Sequence, residues 1–178
     1  MLEIEKKYRL TAKRRDTIAA ALKEIGAGFS GEDFEENTIY RGGVLGDGAI
    51  VRIRRTQDRS VLTFKRRLRN EADVKQQIEY ETGISDADAA AQMLLELDLR
   101  PRLVYEKRRK TWRFRDVEVV LDELPFGLFM EIEGSIEGIR EAEMVLGLED
   151  LKTEHETYPQ LTARLGKRTG EATEARFK

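Results

Sequence analysis

Charged residues in this chain recur at every second position over several short stretches, and the stretches are sorted by sign. Glu3 and Glu5 alternate with Leu2 and Ile4, Glu79 and Glu81 with Ile78 and Tyr80, Glu131 and Glu133 with Met130 and Ile132. Arg52 and Arg54 alternate with Val51 and Ile53, Lys65 and Arg67 follow Thr63 around Leu62 and Phe64, and Lys107 shares a face with Arg109. Asp122 shares a face with Val120, opposite Val119 and Leu121. A period of two is that of a β-strand, so each stretch predicts a strand with one apolar and one charged face. Alternation alone is what any one-sided sheet gives. Segregation by sign is more informative, because solubility favours mixed signs. Two carboxylates about 7 Å apart on one strand face repel by about 2 kcal/mol at an effective dielectric near 20. Acidic faces therefore invite a hard divalent cation held by oxygen, and basic faces a polyanion that arginine forks can grip. A metal-bound phosphate chain asks for both. The alternative is cross-strand salt bridging between acidic and basic strands.

Composition narrows the chemistry. Charged residues make up 37% of the 178-residue chain, yet the net charge is −2, which is not the field of a general nucleic-acid binder. There is no cysteine and His155 is the single histidine, so disulfides, thiolate sites and multi-histidine zinc sites are excluded. Any metal site must use oxygen ligands, which favours Mg, Mn or Ca. No apolar run approaches the ~18 residues of a membrane span, and the N-terminus lacks a signal-peptide core. A soluble cytoplasmic protein is expected, without a membrane partner. No P-loop, serine elbow or His-Glu-x-x-His motif occurs. His155 reads as a surface or loop residue.

Thr11 caps a predicted helix to Ile25, ended by Gly26. Strands are predicted over Glu35 to Tyr40, Ile50 to Arg55, Val61 to Arg67 and Val74 to Thr82, with a glycine-rich turn from Gly42 to Gly48. Ser85 caps a helix over Asp86 to Leu97, whose stripe is Ala90, Met93, Leu94 and Leu97. Leu103 to Thr111 and Trp112 to Glu123 pair around a turn near Asp116, and Leu128 to Glu133 follows as a strand. Helices are predicted over Ile136 to Leu146 and Tyr158 to Leu165, with Pro159 in the first turn. Residues 1–166 form one domain, and 167–178 read as a polar, frayed tail. Short turns between consecutive strands predict antiparallel pairing and an α+β fold. If the charged faces line a barrel, the helices cover its outside, and a closed eight-stranded barrel holds one small ligand.

Taken together, these residues resemble the CYTH superfamily, the triphosphate tunnel metalloenzymes. Glu3, Glu5 and Lys7 match its N-terminal Glu-x-Glu-x-Lys. Arg52-Ile-Arg54, Leu62-Thr-Phe-Lys65, Ile78-Glu-Tyr-Glu81, Lys107-x-Arg109 and the run from Leu121 to Glu133 are similar to its later motifs, in the same order. The resemblance implies an eight-stranded antiparallel tunnel acting on a triphosphate with Mg or Mn. It implies that Glu3, Glu5, Asp122, Glu131 and Glu133 hold metal, with Glu79 and Glu81 as further candidates. Arg52, Arg54, Lys65, Lys107 and Arg109 would clamp phosphates, with Arg67 beside them. Lys7 would bind phosphate or, with a strand tyrosine, help activate water. Tyr40 is the candidate tyrosine, and packing on the barrel wall is its alternative. Arg41 stands where many members carry an aspartate.

The implied activity is metal-dependent hydrolysis of inorganic triphosphate, thiamine triphosphate or a nucleoside triphosphate. The alternatives are cyclisation of ATP, as in class IV adenylyl cyclases, and a polyphosphate- or RNA-end-binding module without turnover. The partner is a triphosphate-containing small molecule, and a homodimer is left open.

Overall fold

A computed structural model of the chain describes residues 2–68 and 75–178, without the side chains of Leu2, Glu3, Lys75 and Gln76. In chain order it contains β1 (Leu2–Leu10), α1 (Ala12–Glu24), β2 (Gly28–Gly42), β3 (Ala49–Arg55), β4 (Ser60–Arg67), β5 (Lys75–Ile84), α2 (Ala87–Glu96), β6 (Leu99–Phe114), β7 (Val117–Leu124), β8 (Gly127–Glu133), α3 (Ile136–Val145), α4 (Tyr158–Leu165), β9 (Lys167–Thr169) and β10 (Ala172–Ala175). Among the described residues no helix is long and apolar enough to cross a membrane.

The strands form one sheet in the order β2-β3-β4-β5-β1-β8-β7-β6-β10-β9, and β6 also pairs with β2 from Gly28↔Arg113 to Gly42↔Leu99. All pairings are antiparallel except β10 on β6. The expectation of an antiparallel-rich α+β fold is met. The pairings run from β2 through β3, β4, β5, β1, β8 and β7 to β6 and back to β2, and among the described residues the β1–β5 seam spans Leu2↔Ile78 to Glu5↔Lys75. In the second half of β1, Tyr8 is bridged to Thr153.

Packing explains which face turned inward. On one outer side, Ile18 and Leu22 of α1 and Ile139 and Ala142 of α3 pack on Tyr8, Trp112, Val119, Met130 and Ile132. On another, Leu94 of α2 packs on Tyr40, Val51, Ile53 and Leu99. A third cluster, with Ile39, Leu103, Tyr105 and Phe129, meets Tyr158 and Leu161 of α4. Burying an aliphatic or aromatic side chain is worth about 1.5–3 kcal/mol, so the apolar parity of each strand is taken by the helices. The charged parity is left to face its counterparts on the other strands.

Several local expectations change. Asp86, not Ser85, caps α2, its carboxylate accepting from the Asp88 and Ala89 N–H groups. Met93 and Leu97 of the expected α2 stripe are 66% exposed, and Leu94 alone is buried. Val74 lies outside the described residues, so β5 is described from Lys75. The expected frayed tail is ordered: Thr173, Glu174 and Ala175 pair with Leu103, Val104 and Tyr105. The reason is geometric. β7 pairs with β6 only from Arg108 onward, which leaves an open edge on its first half. Ala175 is buried there, and Arg176 reaches Glu36, Glu106 and Glu174.

Candidate functional site

The inward parity encloses a cavity of about 570 Å³, within the range of small-molecule sites. Lys7, Arg41, Arg52, Arg54, Lys65, Arg67, Lys107 and Arg109 line it, against Glu5, Glu79, Glu81, Glu118, Glu131 and Glu133. Eight cations and six carboxylates line the cavity, and Glu35 and Asp122 stand directly behind Lys107 and Arg109. Every expected phosphate-clamping residue lies on this wall. His155 is exposed in the loop before α4, as expected.

The register sets the rows. Arg52 is opposite Thr63, and Thr63 opposite Glu81. The Arg52 guanidinium lies 3.2 Å from the Thr63 hydroxyl, 3.5 Å from Glu81 and 3.8 Å from Glu79. Lys65 meets Glu79 at 2.5 Å. Glu79 and Glu81 therefore act as counter-ions to the basic strands, and the salt-bridging alternative holds for this part of the wall. Arg52 Nε is nevertheless buried without a hydrogen-bond acceptor among the described residues, while Arg54 Nε lies 3.5 Å from Glu35. A buried orphan donor costs about 1–3 kcal/mol, so the Arg52 fork retains capacity for an anion.

On β6, Lys107 is 3% exposed and sits 3.2 Å from Glu35 and 3.7 Å from Asp122. Burial, reinforced by Arg109, lowers its ammonium to about 8 against the pull of Asp122 and Glu35. Burial alone would raise Glu35. Lys107, Arg109, Arg54 and a hydrogen bond from Asn37 instead hold it well below the usual carboxylate range. Arg109 donates to both oxygens of Asp122, at 2.8 and 2.6 Å, and to Glu131 at 2.7 Å. Burial opposes the Arg109 charge, but Asp122 holds it firmly protonated.

Asp122, expected to hold metal, is fully buried behind Arg109, and its Oδ2 also accepts the Tyr158 hydroxyl at 2.8 Å. Tyr40 departs from its expected catalytic place. It packs in the outer cluster under α2, because its neighbours Ile39 and Arg41 take the inward parity. The tyrosines that line the cavity are Tyr105 and Tyr158, and burial raises both phenols. Lys7, 4% exposed, lies 3.3 Å from Glu131, donates to the Glu156 carbonyl at 3.1 Å, and sits 3.9 Å from the Tyr158 ring centroid.

Four expected acidic residues remain. The Glu3 side chain lies outside the described residues, although its backbone pairs with Gln77. Glu5 is opposite Glu133, and Glu133 opposite Glu118, while Glu131 is opposite Lys7. Three carboxylates thus stand in one row across β1, β8 and β7. Directly opposed like charges destabilise a sheet. An oxygen-only donor row of this kind fits a hard divalent cation. Among the described residues no three acidic or histidine side chains converge on one point, so the fit rests on donor chemistry and strand register.

Sequence reasoning missed Glu35, Asn37, Arg41, Tyr105, Glu118 and Tyr158. Glu118 was within reach, since it has the parity of Val120 and Asp122. Glu35 and Asn37 are interleaved with Glu36 and Thr38, which hides the parity. Tyr158 comes from a helix, where the two-residue period carries no information.

The family model of the CYTH domain matches residues 1–159. A Methanocaldococcus jannaschii protein described as a putative adenylate cyclase is 28% identical over 82% of this chain and 84% of its own. A Pyrococcus horikoshii structure superposes with a TM-score of 0.79 at 24% identity, covering 89% of this chain and 98% of that one. A Hippeastrum structure, described as a putative adenylyl cyclase with a dominant triphosphatase activity, has a TM-score of 0.63 at 17% identity, covering 96% and 99%. At these identities the structural likeness speaks for the fold.

Proposed function

The chain belongs to the CYTH domain family, and from that premise we propose that it is a divalent-metal-dependent phosphohydrolase acting on a triphosphate inside a charged tunnel. The observation that carries this reading is the single cavity wall on which Arg52, Arg54, Lys65, Arg67, Lys107 and Arg109 meet an acidic row. Binding alone needs only the cations, so the row of Glu5, Glu133 and Glu118 favours turnover over a binding module.

In this reading the basic strands hold the phosphate chain extended and offset charge on the transferring phosphoryl group. Arg109, aimed by Asp122, and the Arg52–Arg54 pair offer fork donors to nonbridging oxygens. An anion bound beside Lys107, whose pKa burial lowers to about 8, favours its charged form. Lys7 is held between Glu131 and the Glu156 carbonyl, where it can contact a phosphate oxygen. Water adds to the terminal phosphorus as the P–O bond to the leaving diphosphate breaks. Glu3, Glu5, Asp122, Glu131 and Glu133, joined by Glu118 from β7, would hold Mg or Mn. Such a cation supplies Lewis-acid polarisation of a phosphoryl oxygen and activation of water.

The relative described as an adenylate cyclase favours a second reading. There the ribose 3′-hydroxyl of ATP replaces water and pyrophosphate leaves. One assay separates the readings. The protein is given Mg or Mn with tripolyphosphate, thiamine triphosphate or ATP, and phosphate, pyrophosphate and cyclic AMP are resolved. Hydrolysis predicts phosphate release. Cyclic AMP as the main product of ATP supports the cyclase, and no turnover of any triphosphate supports the binding module.

A further inference from the structure

Tyr158 enters the cavity from α4, not from a strand, and its ring and hydroxyl touch different parts of the basic wall. Phe129 meets the ring edge-on at 5.4 Å, and Tyr105 lies at 6.3 Å. Lys7 Nζ stands 3.9 Å from the ring centroid and Lys107 Nζ 5.6 Å. The hydroxyl donates to Asp122 Oδ2 at 2.8 Å, and Asp122 grips Arg109 by both oxygens. The segment that carries Tyr158 is itself fixed to β1 next to Lys7. The Glu154 N–H donates to the Lys7 carbonyl at 2.7 Å, Tyr8 bridges Thr153, and Lys7 Nζ donates to the Glu156 carbonyl.

We infer that Tyr158 is a positioning residue for the phosphate clamp, its hydroxyl aiming Arg109 through Asp122 and its ring seating Lys7 and Lys107. The inference rests on the triphosphate reading above. The hydroxyl holds Asp122 Oδ2 against rotation toward Lys107, 3.7 Å away. With it in place, the Arg109 fork has one direction. The aromatic face offers Lys7, almost wholly out of water, a cation–π contact at 3.9 Å. Removal of the hydroxyl should disturb geometry and leave total charge unchanged, which is a different signature from removal of a clamp residue.

The test compares Tyr158→Phe and Tyr158→Leu for tripolyphosphate kcat, KM and thermal stability, with Asp122→Asn as the coupled site. Tyr158→Phe is expected to lower kcat about tenfold, as a misplaced clamp does, with KM within about twofold and an unchanged melting temperature. Combined with Asp122→Asn it should be no slower than Asp122→Asn alone. Tyr158→Leu should raise KM as well. A wild-type kcat in Tyr158→Phe overturns the inference, as do losses that multiply with Asp122→Asn or that track lost stability. If the unmodified protein turns over no triphosphate, the functional reading falls by itself. Positioning is then read from tripolyphosphate binding by calorimetry, where weakening in Tyr158→Leu supports it and unchanged affinity in both variants overturns it.

Discussion

Asp122 and Arg109 form a buried bidentate pair at 2.8 and 2.6 Å, placed opposite each other on β7 and β6. Asp122, which the family resemblance assigns to metal, thus also supports a cavity-lining arginine from behind. Removing one partner leaves the other charged and buried, which costs about 3–5 kcal/mol. Asp122→Ala is therefore expected to lose stability on that scale in a urea titration, and tripolyphosphate affinity with it. A variant of unchanged midpoint would show that the pair is not holding this part of the wall.

Glu35 gives the acid side of the stability profile. Its folded pKa is depressed below the unfolded value of about 4.3 by Lys107, Arg109 and Arg54, against the effect of burial. A depressed carboxylate contributes stability that is complete above the unfolded value and lost as pH falls below it. Wild type should exceed Glu35→Gln in unfolding free energy at neutral pH, and the difference should shrink as pH falls below about 4.3. A pH-independent difference would contradict the assignment.

Lys107 gives the alkaline side. Its folded pKa is lowered to about 8 from the 10.5 of an ordinary lysine. Between those values the unfolded chain holds the proton more tightly, so this group penalises folding at neutral pH and the penalty lifts as pH rises. A bound polyphosphate pulls the pKa back up. Tripolyphosphate binding near pH 8.5 should therefore take up a proton, seen in calorimetry as a dependence on buffer ionisation enthalpy. Lys107→Arg should abolish that uptake. Equal uptake in the variant would assign the proton elsewhere.

The acidic row predicts a separable effect. Glu5 and Glu133 stand opposite each other on β1 and β8, and Glu5→Gln and Glu133→Gln each remove one oxygen donor from that row. Tripolyphosphate turnover should require more Mn for half-maximal rate. Unchanged Mn dependence in both variants would remove these residues from the metal assignment.

Much of the cavity was legible because a strand exposes alternate residues to one face. Arg52, Arg54, Lys65, Arg67, Lys107, Arg109, Glu79, Glu81, Glu131 and Glu133 all occupy the wall that their spacing predicts. Tyr40 was misplaced because family analogy selected a residue whose parity, set by Ile39 and Arg41, points it outward. Tyr158 was invisible because it reaches the site by helix docking. The ordered tail was missed for a related reason: Ala172–Ala175 has little to bury, and it becomes a strand only because β6 leaves part of its edge open.

The most direct test is tripolyphosphate turnover with Mn by wild type and Arg54→Ala, followed as phosphate release with and without a chelator. Arg54 is largely buried, faces the cavity and is anchored by Glu35 at 3.5 Å. Loss of one charge-assisted hydrogen bond is worth about 1.5–3 kcal/mol, so kcat/KM should fall at least tenfold in the variant while its fold is retained. Wild-type turnover should stop on chelation and return with Mn. Phosphate release that survives both the chelator and the Arg54→Ala substitution would contradict metal-dependent hydrolysis in this cavity.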